Sequence, residues 1–147
     1  VVKINNYQKD RFAQKIIDHF GGDLTGKRIA ILGWAFKANT NDSRESPAIF
    51  VAEKLFKAGA ELYIYDPLVS CNKVLKDISN LWKAEVSDKL IDLKISCLDT
   101  LEKEMKEING IAILTEWDEF KNYNFGDNII FDGRNIIDSN NFKTFSL

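Results

Sequence analysis

Two unbroken apolar runs constrain this chain more than anything else in it. Lys27-Arg-Ile-Ala-Ile-Leu-Gly33 and Gly110-Ile-Ala-Ile-Leu-Thr-Glu116 are both too continuous for a strand with one face in water. A strand that is apolar on both faces must be covered on both, which points to parallel strands between layers of helices. Glu61-Leu-Tyr-Ile-Tyr65 and Asn128-Ile-Ile-Phe-Asp132 read as further strands of the same sheet. The intervening segments carry helical signals. Residues 7–20 bring Phe12, Ile16, Ile17 and Phe20 onto one stripe, and Gly21-Gly22 ends it. Ser46-Pro47 opens a second helix with a capping serine and a proline at the first position. Its core face is Ile49, Ala52, Leu55 and Phe56, and Gly59 is its stop. Helical pieces are expected over 72–81, a weak strand over 93–97 and a short helix over 117–123. A charged helix with Leu101 and Met105 on one face is expected over 99–108.

Strands alternating with helices imply right-handed βαβ units, and hence an open, mainly parallel, Rossmann-like α/β sheet in three layers. The 147 residues fit a single domain, 1–147, and 45% hydrophobic residues suffice for its core. Twenty Lys and Arg against 22 Asp and Glu leave no basic excess for nucleic acid, and no apolar stretch approaches the ~20 residues that span a bilayer. Neither nucleic acid nor membrane is therefore an expected partner. Cys71 and Cys97 lack metal-ligand spacing and read as small packing residues rather than a disulfide framework. With His19 the sole histidine and no partnered nucleophile or close carboxylate pair, no catalytic residue and no metal site is expected. The opening Val-Val-Lys-Ile has neither an initiator Met nor a signal peptide, so the chain reads as part of a longer protein.

Open parallel sheets bind ligands at the carboxyl ends of their strands. After the first strand, a dinucleotide-binding fold would place GxGxxG; here only Gly33 is present, followed by a long, bulky loop to Ser46. That loop offers Lys37 and Arg44 ahead of a helix N-terminus, either to hold phosphate or as solvated cations. After the second strand, Asp66-Pro67 reads as a turn in preference to a ribose-binding acid. After the third, Thr115 and Asp118 read as a helix cap, with Trp117 and Phe120 packing. After the fourth, Gly133 permits a close backbone approach and Arg134 suits a phosphate or a sugar hydroxyl, the alternative being a salt bridge to an acid such as Asp132. The residues alone describe an anion- or nucleotide-binding module.

Taken in order, several strings carry a resemblance. They are Asn5-Asn6-Tyr7-Gln8, Gly33-Trp34-Ala35-Phe36-Lys37 with Thr40 and Asp42, Arg44-Glu45-Ser46-Pro47, Tyr65-Asp66-Pro67, Thr115-Glu116-Trp117 and Phe131-Asp132-Gly133-Arg134. Together they resemble the C-terminal UDP-binding domain of the UDP-glucose/GDP-mannose dehydrogenase family over nearly the whole chain. The resemblance implies the substrate-binding domain of an NAD-dependent UDP-glucose 6-dehydrogenase, which oxidises UDP-glucose to UDP-glucuronate through a cysteine thioester. It implies that Phe36, Lys37 and Arg134 contact the UDP-sugar and that Arg44 reaches NAD held by another domain. The catalytic cysteine and the NAD-binding glycines would then lie in N-terminal and central domains, leaving this chain inactive alone. A cytoplasmic, homo-oligomeric full-length enzyme is expected, with the isolated domain monomeric. The alternatives are a dehydrogenase for a UDP-N-acetylhexosamine or GDP-mannose, and a stand-alone nucleotide-sugar-binding module.

Overall fold

Backbone alternation along β1 (Arg28–Leu32) sends Ile29 and Ile31 to one face of a sheet and Ala30 and Leu32 to the other, and all four are fully buried. Strand β4 (Gly110–Ile113) repeats the pattern, with Ile111 and Ile113 on one face and Ala112 on the other. These two strands lie side by side at the centre of a six-stranded sheet whose order is β3-β2-β1-β4-β5-β6. The others are β2 (Glu61–Tyr65), β3 (Ile95–Cys97), β5 (Ile130–Asp132) and β6 (Thr144–Ser146), and every pairing is parallel. The computed structural model describes residues 6–83, 86–101, 107–137 and 144–146.

One face is covered by α1 (Asn6–His19), α2 (Pro47–Lys57) and α3 (Cys71–Leu81). Helix α1 inserts Phe12, Ala13, Ile16 and Ile17, the i, i+4 stripe that its spacing requires. Helix α2 begins where expected: the Ser46 side chain accepts from the Ala48 amide, Pro47 occupies the first turn, and Ile49, Ala52, Leu55 and Phe56 are buried. Burying side chains of this size contributes roughly 1.5–3 kcal/mol each, so α2 is held by its packing far more than by propensity. Helix α3 is capped by Ser70, which accepts from the Lys73 amide, and buries Val74 and Ile78. The opposite face is covered by Leu101, Ile108, Trp117, Phe120 and Phe125, with Phe120 on α5 (Asp118–Asn122). The short α4 (Asp88–Lys94) precedes β3, and no helix among the described residues is long and apolar enough to cross a membrane.

The three-layer α/β expectation holds. The described strands are all parallel, and the edge strand β6 and helix α4 extend the sequence reading. The charged helix expected over 99–108 lies largely outside the described residues, although Leu101 is buried. The cysteine expectation is corrected: Cys71 and Cys97 form a disulfide, with Cα atoms 5.6 Å apart across 26 positions of sequence. Parallel pairing explains the meeting. It sets all strand carboxyl ends along one edge, where α3 starts soon after β2 and β3 finishes beside it. Closing a loop of this length restricts the unfolded chain, so reduction is expected to lower the unfolding free energy by about 3 kcal/mol. Urea titrations with and without reductant test this; superimposable curves would contradict it.

Candidate functional site

Strand order reverses between β1 and β4, and the crevice beyond their carboxyl ends is where such sheets bind ligands. Gly33 leaves β1 with φ +99°, and a Cβ there would lie 2.3 Å from Thr115 Oγ1. Only glycine lets the two strand exits press together at this point. The Thr115 hydroxyl then donates to the Ala35 carbonyl at 2.7 Å. This corrects the capping role expected of Thr115: the residue preceding α5 is Trp117, and it makes no side-chain cap. Thr115 is fully buried, and the nearby carbonyl satisfies its hydroxyl.

The loop from β1 to α2 is gripped by two buried carboxylates. Asp66 Oδ2 accepts from the Trp34 and Ala35 amides at 2.7 and 3.0 Å and from the Trp117 indole at 3.3 Å. Its Oδ1 accepts from the Leu68 and Val69 amides at 2.8 and 3.0 Å. The expected turn is present, and the same side chain fastens three strand ends together. Asp77, on α3, takes the Trp34 indole at 3.0 Å and the Ser43 hydroxyl at 2.6 Å on Oδ2, while Oδ1 faces Lys73 Nζ at 3.1 Å. An aspartate on a helix ordinarily reads as solvated, so no local signal marked Asp77.

Between these anchors the loop tip is closed by the Phe36 amide donating to the Asp42 carbonyl at 2.9 Å. Phe36 is half-buried and Lys37 is exposed, with its ammonium 5.3 Å from the Phe36 ring centroid. Arg134, just beyond β5, reaches the same tip: its Nη2 donates to the Phe36 carbonyl at 3.3 Å. The sequence reading offered Asp132 as its salt-bridge partner, and the structure gives Glu116 instead. Arg134 Nε donates to Glu116 Oε2 at 2.6 Å and Nη2 pairs with the same oxygen, while Glu116 Oε1 accepts from the Ala38 amide at 3.0 Å. Asp132 is committed to backbone, accepting from the amides of Arg134 and Ile137. Burial pushes the Glu116 carboxyl up, but the Ala38 amide and the Arg134 guanidinium outweigh it and hold the carboxyl below its usual range.

Arg44 stands apart from this contact. Its side chain is 85% exposed and grips Asp42 with two nitrogens, Nε at 3.0 Å from Oδ1 and Nη2 at 2.8 Å from Oδ2. Hydrogen bonds from the Arg44 side chain and then its amide bring the Asp42 carboxyl down to about 2. Among the described residues, three that are not glycine have left-handed backbone, Asn39, Glu45 and Asn135, and all lie in these loops. Such conformations cost on the order of 1–3 kcal/mol where the side chain is poorly suited, and they persist where surrounding bonds over-determine them.

Fold and site together describe a doubly wound domain of the nucleotide-binding type whose turn after β1 is bonded to Asp66. The Trp34 and Ala35 amides, placed where a glycine-rich turn would offer them to a pyrophosphate, are already bonded to Asp66. The sequence profile of the UDP-glucose/GDP-mannose dehydrogenase family, UDP binding domain, matches residues 30–139, and the chain belongs to this family. It is 38% identical over 155 residues to UDP-glucose 6-dehydrogenase 1 of Arabidopsis thaliana, covering 95% of this chain and 32% of that protein. Against UDP-glucose 6-dehydrogenase of Caenorhabditis elegans it is 38% identical over 164 residues, covering 100% and 32%. The structure of a UDP-glucose dehydrogenase from the archaeon Pyrobaculum islandicum matches with a TM-score of 0.73 at 25% identity, covering 97% of this chain and 30% of that one. The chain thus spans about a third of the length of these relatives.

Replacing Asp66 tests how far the site depends on it. In Asp66→Asn, whichever oxygen becomes an amide faces at least two N–H donors. The variant is expected to lose roughly 3 kcal/mol of unfolding free energy, read by urea denaturation. A loss under about 0.5 kcal/mol, the range of ordinary surface substitutions, would contradict this.

Proposed function

We propose that this chain is the UDP-sugar-binding domain, 1–147, of an NAD-dependent UDP-glucose 6-dehydrogenase. The observation that carries the reading is convergence at the switch point. Phe36 and Arg134, 98 positions apart, are in hydrogen-bond contact there, with Lys37 beside them. A diphosphate suits the exposed ammonium of Lys37. The Phe36 ring offers an apolar face to a base or sugar, and the Arg134 fork gives direction to a hydroxyl or phosphate oxygen. The named relatives at 38% identity support UDP-glucose as the sugar nucleotide.

NAD enters this reading through Arg44, exposed just ahead of α2, while the cofactor is held mainly by another domain. The fit supports that division, because the amides that would cradle its pyrophosphate after β1 are engaged by Asp66. The oxidation itself also falls to the N-terminal and central domains of the same enzyme, since both cysteines here are tied in a disulfide. A cytoplasmic, homo-oligomeric enzyme completes the reading on the resemblance alone, with Cys71–Cys97 an exception to the reduced thiols usual in that compartment.

A charge-assisted hydrogen bond contributes roughly 1.5–3 kcal/mol, and millimolar affinity corresponds to about 4 kcal/mol, so a half-site of this kind binds weakly. Calorimetric or NMR titration of the chain with UDP-glucose is expected to give a millimolar-range dissociation constant. Lys37→Ala should weaken it about tenfold, while Arg44→Ala leaves it unchanged. Submicromolar binding, or binding indifferent to loss of both Lys37 and Arg134, would contradict the proposal.

A further inference from the structure

The geometry points to Glu116 as a positioning residue for nucleotide-sugar binding, a carboxylate that fastens Arg134 and the 36–38 tip into one unit. This rests on the reading that Arg134 contacts the ligand. Glu116 follows β4, Arg134 follows β5 and the tip follows β1, so three strand ends meet at one side chain. Oε2 holds the guanidinium along one edge through Nε and Nη2, and Oε1 holds the tip through the Ala38 amide. The circuit closes where Arg134 Nη2 reaches the Phe36 carbonyl.

Two features separate this pair from an ordinary surface ion pair. The Arg134 side chain is only 7% exposed and that of Glu116 26%, so solvent screens the contact little. The guanidinium is also held by two nitrogens, which fixes its plane as well as its position. The sign of the charge makes the placement informative. A carboxylate beside an anionic ligand opposes binding by Coulomb repulsion, so a site built for net positive charge would do better without it. What Glu116 supplies is orientation: Arg134 is already in place when the ligand arrives, and the ordering of a long side chain is not charged against binding.

That sign gives a test in which a bystander and a positioning residue behave oppositely. Glu116→Gln keeps the shape and an acceptor for Ala38 and removes the negative charge. A bystander would leave the affinity of the 147-residue chain for UDP unchanged or raise it; the positioning role lowers it about tenfold. In an Arg134→Ala background, the same change should alter UDP affinity by less than about twofold, because Gln still accepts from Ala38 and no guanidinium remains to orient. Glu116→Asp keeps the charge but is one methylene short of spanning both partners, and it should weaken UDP binding as well. It carries the test if Glu116→Gln does not fold, which amide spectra and thermal melts of each variant will show. Tighter or unchanged binding by Glu116→Gln, with Arg134→Ala weakened, overturns the inference and leaves the binding reading intact. Equal losses in both backgrounds also overturn it, since Glu116 would then act without Arg134. No effect of Arg134→Ala, or no UDP binding by the parent chain, overturns the reading and the inference together.

Discussion

The carboxylate of Asp66 collects five N–H groups from the ends of β1, β2 and β4, and the rest of the ligand edge is arranged around that bond set. A buried carboxylate without donors would be heavily penalised, and buried amides without acceptors nearly as much, so each side secures the other. The consequence reaches function directly. With the Trp34 and Ala35 amides committed to Asp66, the turn after β1 has none of the open backbone that lets a glycine-rich loop cradle a pyrophosphate. In the proposed reading, recognition moves outward to the side chains of the 36–44 tip. The fold keeps the dinucleotide-binding strand order while its first turn is closed by Asp66.

The tip is then shaped by constraint from both sides. Asp77 holds Trp34 and Ser43, Glu116 holds Ala38, and the carbonyls of Ala35 and Phe36 are met by Thr115 and Arg134. Among the described residues, left-handed backbone outside glycine falls at Asn39, Glu45 and Asn135, all in the loops at the strand carboxyl ends, and surrounding bonds of this kind sustain it. Charge is divided within the site. Arg134 is neutralised by Glu116 and offers direction, whereas Lys37 stays exposed and offers charge. Arg44, also exposed, shares its charge with Asp42.

Much of this was legible in the sequence, and the reason is local chemistry. Unbroken apolar runs announce strands buried on both faces, and Ser46-Pro47 announces a helix start; neither signal depends on distant residues. The strand-end rule then pointed to Lys37, Arg44 and Arg134 as candidates, and the family resemblance added Phe36. What escaped was information about neighbours. Strand β6 sits at the sheet edge and is only three residues long, so periodicity had little to act on. The Cys71–Cys97 disulfide depends on β3 lying beside β2. Asp132 was the example offered as a partner for Arg134 because it is near in sequence, while the loop after β4 delivers Glu116 in space. Asp77 looked like any aspartate on a helix until Trp34 and Ser43 were folded against it.

The central claim is that the binding loop is built before any ligand arrives, and amide hydrogen exchange on the ligand-free chain measures it most directly. The Trp34 and Ala35 amides, bonded to a buried carboxylate, should exchange as slowly as the core amides of β1, with Lys37 and Asn39 exchanging fast. Rapid exchange at Trp34 and Ala35, with protection appearing only when UDP is added, would contradict the account: the loop would then be assembled by its ligand and not by Asp66.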